Sequence, residues 1–248
     1  MADYIEGKRP IIEAFRTGVP MRRILMGDYM KRDPMIEDIT RKAKRNGVRI
    51  IQVPRKELDE KSARGSHQGV MAEAAPFGYV GIGEVAAIAN AYAEAHDGRA
   101  LVVLLDHITD AGNLGAVSRS AEAVGASGIV IPNKRSAHVE ASTYKSSAGA
   151  IAHMPVAQVS NLVQAISRLK DEGFWVCAAT EHAEDLMWDT NLKGKIVLVM
   201  GNEHEGVSRL VLEHCDLRAK LPLEGEVASL NVAQASTACM YEWLRQNR

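Results

Sequence analysis

The stretch TDAGNLGAVSRSAEAVGA (109–126) stands between two uninterrupted apolar runs, ALVVLLD (100–106) and SGIVIP (127–132). Within it, Leu114, Val117, Ala121 and Val124 recur at helical spacing on one face, and Arg119 lies off that face. The pattern predicts strand, loop, helix, strand. Strands apolar throughout and separated by helices belong to a parallel sheet covered on both faces. Asn113 suits the N-cap of the helix, where its side chain accepts from a free backbone N–H. Gly112 and Gly115 are spaced G-x-x-G. That is neither the G-x-G-x-x-G of a dinucleotide site nor the G-x-x-x-x-G-K-[ST] of a triphosphatase, so both readings fall away. On spacing alone, Asn113 as a cap and Arg119 as a solvated residue paired with Glu122 remain a sufficient account. A functional reading needs support from elsewhere in the chain.

Downstream the alternation continues. A helix is expected near NLVQAISRLKDEG (161–173), strands at FWVCAAT (174–180) and KIVLVM (195–200), and helices at VSRLVLEHC (207–215) and NVAQASTACMYEWLRQ (231–246). Upstream, RPIIEAFRTG (9–18), PMIEDITRKAKRNG (34–47) and RKELDEK (55–61) read as helices, with Pro34 in a first turn and Gly47 as a stop. RRILM (22–26), VRIIQV (48–53) and HQGVMAEA (67–74) read as strands. PFGYVGIG (76–83) suggests a hinge, and EVAAIANAYAEAHDG (84–98) an Ala-rich connecting helix. The expected organisation is a small α/β domain over 1–78, a linker and connecting helix over 79–97, and a larger α/β domain over 98–248.

The 248 residues, 46% hydrophobic and 25% charged, describe an ordinary globular protein. No apolar segment resembles a signal peptide or a membrane span, and three scattered cysteines form neither a disulfide framework nor a zinc pattern. A reducing cytoplasm is the expected home. The net charge of −1 conceals a split, +5 over residues 1–78 and −6 over 79–248. RKAKRNGVRIIQVPRK (41–56) carries Arg41, Lys42, Lys44, Arg45, Arg49, Arg55 and Lys56 and no acidic residue. That run is either a solvated surface or the footprint of an anionic partner, with nucleic acid the natural candidate.

Ligands of an open parallel sheet bind beyond the carboxyl ends of its strands. Two further strand ends carry distinctive polar sequence. VLVMGNEHEGVSR (197–209) closes a buried strand at Gly201, which allows close approach to the backbone, and continues through Glu203 into a helix. LPLEGEVASLNVAQAS (221–236) places Ser229 or Asn231 as the cap of the last helix. In chain order, Asn-x-Gly-x-x-x-Arg, Gly-x-Glu-x-x-Gly and Leu-Pro-x…Ser-Leu-Asn-Val resemble the three motifs of the SpoU (TrmH-like) branch of the SPOUT RNA methyltransferases. The likeness covers about residues 99–245. Residues 4–78, through EGKRPIIEAFRTG and SHQGVMAEAAPFGYV, resemble the small RNA-binding domain of the 23S ribosomal RNA guanosine-2′-O-methyltransferases of this branch.

The resemblance implies a parallel-sheet methyltransferase domain with a C-terminal trefoil knot. It implies transfer of a methyl group from S-adenosylmethionine to a ribose 2′-hydroxyl of structured RNA, without a metal, by a homodimer paired through knot-region helices. Gly201, Leu221 and Leu230 would meet the cofactor mainly through backbone groups, with Thr180, Glu181 and Asn231 beside them. Arg119 would face the hydroxyl and its phosphate, as electrostatic clamp or coupled proton acceptor, with Asn113, Glu203, Ser229 and Asn231 orienting ribose, Arg119 and the cofactor loops. Three positions depart from the family pattern. Ala111 replaces a proline, which would loosen the loop carrying Asn113, and His107 and His204 are unusual. The alternatives at this point are the same reaction on transfer RNA or on an antibiotic-resistance site of ribosomal RNA, or a non-catalytic RNA-binding ribosome-assembly factor.

Overall fold

The computed structural model describes residues 4–62, 67–202, 205–227 and 229–248. The first body runs β1 (Tyr4–Glu6), α1 (Lys8–Arg16), β2 (Met21–Gly27), α2 (Pro34–Arg45), β3 (Arg49–Val53), α3 (Arg55–Lys61) and β4 (Val70–Ala74). Its four-stranded sheet has the order β1-β4-β2-β3, with β4 antiparallel to both neighbours and β2 parallel to β3. Asp33 caps α2 by accepting from the N–H groups of Met35 and Ile36, Pro34 occupies the first turn, and Gly47 follows the helix at φ +67°. The stop read from sequence is therefore a backbone requirement.

The second body continues with α4 (Ile82–Ala95), β5 (Ala100–Leu105), α5 (Ala111–Val124), β6 (Gly128–Pro132), α6 (Ala141–Ser146), a 3-10 turn at Ala150–His153, and β7 (Val156–Val159). It ends with α7 (Leu162–Asp171), β8 (Trp175–Ala179), β9 (Lys195–Met200), α8 (Arg209–Glu213), β10 (Leu217–Ala219) and α9 (Val232–Gln246). The six strands pair in the order β10-β8-β9-β5-β6-β7, parallel throughout. β5 explains why the sheet is covered on both faces. Leu101, Val103 and Leu105 pack with residues of α5 and α9, while Ala100, Val102 and Leu104 pack with α4, α7 and α8. No helix among the described residues is long and apolar enough to cross a membrane. Burial pushes the thiols of Cys177, Cys215 and Cys239 up to about 12, so none is a ready nucleophile.

Three readings from sequence need correction. Asn113 is not the cap of α5. Asp110 is, accepting from the Asn113 N–H at 2.7 Å, because a carboxylate one turn earlier suits the positive end of a helix better than an amide. The segment 76–83 is not an open hinge. The Val80 N–H donates to Val156 O at 3.0 Å, the Tyr79 hydroxyl accepts from the Val139 N–H at 2.8 Å, and Phe77 meets Tyr79 and Tyr144 edge-on. The connecting helix α4 buries Val85, Ala86, Ala89 and Ala93 against the large sheet, so it belongs to the second body.

Gly115 settles what the glycines of α5 do. A Cβ there would lie 2.0 Å from Ser146 Oγ, 2.6 Å from Thr143 O and 3.0 Å from Ser147 N. The glycine lets α6 seat directly on α5; it is a packing position, not a phosphate cradle. Gly115→Ala should therefore destabilise the protein by about 1–3 kcal/mol through overpacking, although alanine is the better helix former. At roughly 2–4 °C per kcal/mol for a chain of this size, melting curves should fall by several degrees. An unchanged melting temperature would mean that the two helices are not seated this way.

Candidate active site

The carboxyl ends of β5, β9, β8 and β10 bring the polar loops to one edge of the large sheet. At the end of β5, Asp106 is only 1% exposed. Its carboxylate accepts from the Ser208 N–H at 2.7 Å and meets His107 Nδ1 at 2.5 Å. A carboxylate can only accept, so Nδ1 carries the proton of that contact. His107 sits at φ +58°, an uncommon conformation for a residue with a Cβ, and its carbonyl accepts from Asn202 Nδ2 at 2.8 Å. The loops after β5 and β9 are thus tied by two hydrogen bonds, and the Asp106–His107 contact braces the first of them. Sequence reading noted His107 as unusual but passed over Asp106. The available signal was an acidic residue closing an apolar run, where a buried charge demands partners.

Gly201 also differs in detail from expectation. A Cβ there would lie 2.2 Å from both Gly206 C and Val207 N. The close approach it permits is made by the chain's own backbone, which closes through two bonds of 2.9 Å between Asn202 and Gly206. Glu203 and His204, singled out from sequence, lie outside the described residues.

The first and third motifs meet. Asn231 caps α9 by accepting from the Ala233 N–H at 2.9 Å, and its Nδ2 donates to Asn113 Oδ1 at 3.0 Å. Ser120 and Thr237 hydroxyls, 2.7 Å apart, join the same two helices further along. Arg119 is exposed and, among the described residues, forms no hydrogen bond or ion pair, including with Glu122. Its guanidinium is left available. Ser229 is exposed beside Asn231.

Thr180 is buried, with its N–H on Ala219 O, whereas the Glu181 side chain is 59% exposed and faces His182. Leu221 is half-buried against the core, and Leu223, Val227 and Leu230 are exposed. Among the described residues, the backbone N–H and C=O groups of 221–227, 229 and 230 make no backbone hydrogen bond. Peptide groups without a backbone partner among the described residues, beside exposed aliphatic side chains at a strand-end crevice, are a suitable set for a nucleoside cofactor held through backbone contacts. The residues fit that expectation.

The basic run lies on α2, β3 and α3, with β3 at the sheet edge. Arg41 and Lys42 pair with Asp38, Arg55 with Asp59, and Lys56 with Glu60. Lys44, Arg45 and Arg49 have no ion pair among the described residues. Exposed pairs of this kind contribute little to stability and exchange readily for phosphate.

The loop geometry rests on Asp106. Asp106→Ala should cost about 1–3 kcal/mol, because it leaves the Ser208 N–H without its acceptor. Hydrogen exchange at the Ser208 amide should rise accordingly, and unchanged protection there would show that another group holds the loop.

A model of the SpoU rRNA methylase family matches residues 100–241, and a model of RNA 2′-O ribose methyltransferase substrate binding matches residues 4–80. A Bacillus subtilis protein named as a TrmH family tRNA/rRNA methyltransferase is 35% identical over 98% of this chain and 96% of its own. A Staphylococcus aureus protein of the same description is 37% identical over 98% and 95%. Among solved structures, the SpoU methyltransferase AviRb of Streptomyces viridochromogenes, in complex with AdoMet, matches with a TM-score of 0.72 and 25% identity over 98% of this chain and 89% of that one. With two domain models matching in order and relatives aligned over nearly their whole length, the chain belongs to the SpoU rRNA methylase family.

Proposed function

We propose that this protein methylates the ribose 2′-hydroxyl of a guanosine in 23S ribosomal RNA. As a member of the SpoU family it is an RNA methyltransferase that uses S-adenosylmethionine. The observation that supports the catalytic assignment is the Asn231–Asn113 bond. It joins the third motif to the helix that carries Arg119, whose guanidinium has no partner among the described residues. The bound cofactor supplies a methyl group on a positively charged sulfur. Gly201, Leu221, Leu230 and Asn231 would hold it through backbone groups, with Thr180 and Glu181 at the side of the crevice. Asn113, Glu203, Ser229 and Asn231 orient the ribose and Arg119. The contribution of the Arg119 guanidinium is charge: it clamps the neighbouring phosphate and stabilises negative charge on the attacking oxygen, whose proton passes to solvent water. The C-terminal segment, returning from the outermost strand β10 to pack α9 on α5, would thread the trefoil knot, and α9 would contribute to a homodimer.

Ribosomal RNA is favoured by the description of the matching family, SpoU rRNA methylase, while the substrate-binding match over residues 4–80 and the basic surface there support RNA of either kind. Transfer RNA is the second reading, because the relatives' names cover both. Mapping 2′-O-methylated positions in total RNA from a deletion strain separates them: loss of one guanosine site in 23S RNA supports the proposal, and loss of a transfer RNA site overturns it.

Two variants test the machinery. Arg119→Ala should leave melting unchanged, since the side chain is exposed, and lower single-turnover methyl transfer by at least ~100-fold. Arg119→Lys should fail as well, because a point charge does not reproduce a planar fork on a phosphate. Arg209, exposed and paired with Glu213, is the control whose loss should matter far less. Near-normal turnover in Arg119→Ala would return Arg119 to the status of a solvated helix residue.

Charge reversal at Lys44, Arg45 and Arg49 should weaken RNA binding and flatten its salt dependence by about one unit of slope per lost phosphate contact. Point substitution is preferable to deleting the first domain, whose core is continuous with that of the second. An unaltered salt slope would remove this surface from substrate recognition.

A further inference from the structure

Between the two bodies lies a cavity of about 410 Å³. Arg22, Glu73 and Phe77 line it from the first body and the junction, and Val139, Glu140 and Tyr144 from the second. Tyr144 is 4% exposed, yet its hydroxyl makes no hydrogen bond among the described residues. That hydroxyl is not one of the fully buried unpartnered atoms, so it is accessible and can serve a ligand group as donor or acceptor. Phe77 and Tyr144 stand edge-on with ring centroids 6.5 Å apart, giving the cavity an aromatic wall. At its rim Arg22 is 59% exposed and held only by a 3.7 Å ion pair to Glu73. The nearer partner of Glu73 is Arg23, at 2.6 Å, so the guanidinium of Arg22 keeps its hydrogen-bonding donors. Glu140, exposed, stands on the opposite side, its carboxylate already accepting from the Thr143 N–H and, at 2.6 Å, from the Ser142 hydroxyl.

An aromatic wall, an accessible phenol hydroxyl and a rim cation together match one chemical class: a flat heterocycle with a polar edge, attached to an anion. We propose that this cavity receives an unstacked nucleotide of the substrate RNA, apart from the methylated one, with its base against Phe77 and Tyr144 and its phosphate on Arg22. The inference rests on the RNA-methyltransferase reading for the identity of the ligand. Its place in the fold gives it a consequence. Tyr144 belongs to α6, the helix seated on α5 through Gly115, and α5 carries Arg119. A base lodged in the cavity fixes the RNA against the same packed pair of helices that presents the catalytic arginine, so the cavity helps to set register between the two domains' contacts. Stacking with edge hydrogen bonds is the ordinary way single-stranded RNA is held.

The test uses the full-length protein and four probes, the 5′-monophosphates of guanosine, adenosine, cytidine and uridine, titrated separately, together with RNA kinetics. Tyr144→Phe removes the hydroxyl and keeps the ring; Arg22→Ala removes an exposed group; melting curves check both. At least one mononucleotide should bind. Tyr144→Phe should weaken that binding about tenfold and raise KM for RNA by a similar factor, the effect of one hydrogen bond. Arg22→Ala should weaken both and reduce the salt slope. If neither variant changes mononucleotide binding or KM, the proposal is wrong; an effect of Arg22→Ala alone reduces the site to a surface phosphate contact and also overturns it. Tyr144-dependent nucleotide binding in a protein that methylates no RNA would support the cavity and overturn the methyltransferase reading. Full methylation without Tyr144-dependent binding would do the reverse.

Discussion

Asp106 holds a carboxylate where almost no water reaches it. An isolated charge in that position would be costly, and the structure removes the cost by giving each oxygen a partner, the Ser208 N–H and His107 Nδ1. Those partners belong to the loops that follow β9 and β5. Satisfying one buried group therefore fixes two of the three strand-end loops relative to each other. Asn202, donating to the His107 carbonyl, adds a second tie between the same loops. The third loop joins through Asn231 and Asn113. The site is a set of loops cross-linked by amides and one carboxylate, with Arg119 left outside that network and available for substrate.

The two bodies are coupled more closely than two linked domains need to be. Phe77, Tyr79 and Tyr144 form an aromatic cluster across the junction, and Gly149, at φ +94°, brings its backbone against Thr17 O, where a Cβ would lie 2.8 Å away. A left-handed glycine at a contact that leaves no room for a side chain makes the orientation of the first body a property of the backbone. The basic surface of α2, β3 and α3 is thereby held at a set position relative to α5.

Much of this was legible in the sequence because it follows from periodicity. The buried face of α5, Leu114, Val117, Ala121 and Val124, is the one the spacing gives, and ALVVLLD, KIVLVM and FWVCAAT are central strands. What escaped was either short or decided by tertiary contact. β7 and β10 have four and three residues, too few for a pattern, and α6 is a six-residue helix rich in Ser and Thr, whose intrinsic preference is for turns. The role of Gly201 was legible only as a need for closeness, and that of Gly115 not beyond the exclusion of two phosphate motifs. Whether backbone or ligand comes close is a long-range fact, and in both cases the chain itself does. The cap of α5 was misplaced because Asp110 and Asn113 are both good caps three residues apart, and local sequence does not rank them.

Ala111 shows how tertiary contact replaces local stiffness. A proline at this position would restrict the backbone at the start of α5, and its absence suggested a looser Asn113. Ala111 proves to be the first residue of the helix, directly after the cap. Asn113 is held at both ends, its N–H by the Asp110 carboxylate at 2.7 Å and its side-chain oxygen by Asn231 at 3.0 Å. Proline would restrict chiefly the unfolded chain. The two hydrogen bonds act on the folded one, and one of them comes from the C-terminal helix. The precision of the first motif thus depends on the arrival of the last segment of the chain, so the hydrogen bonds that hold Asn113 are complete only when α9 has docked.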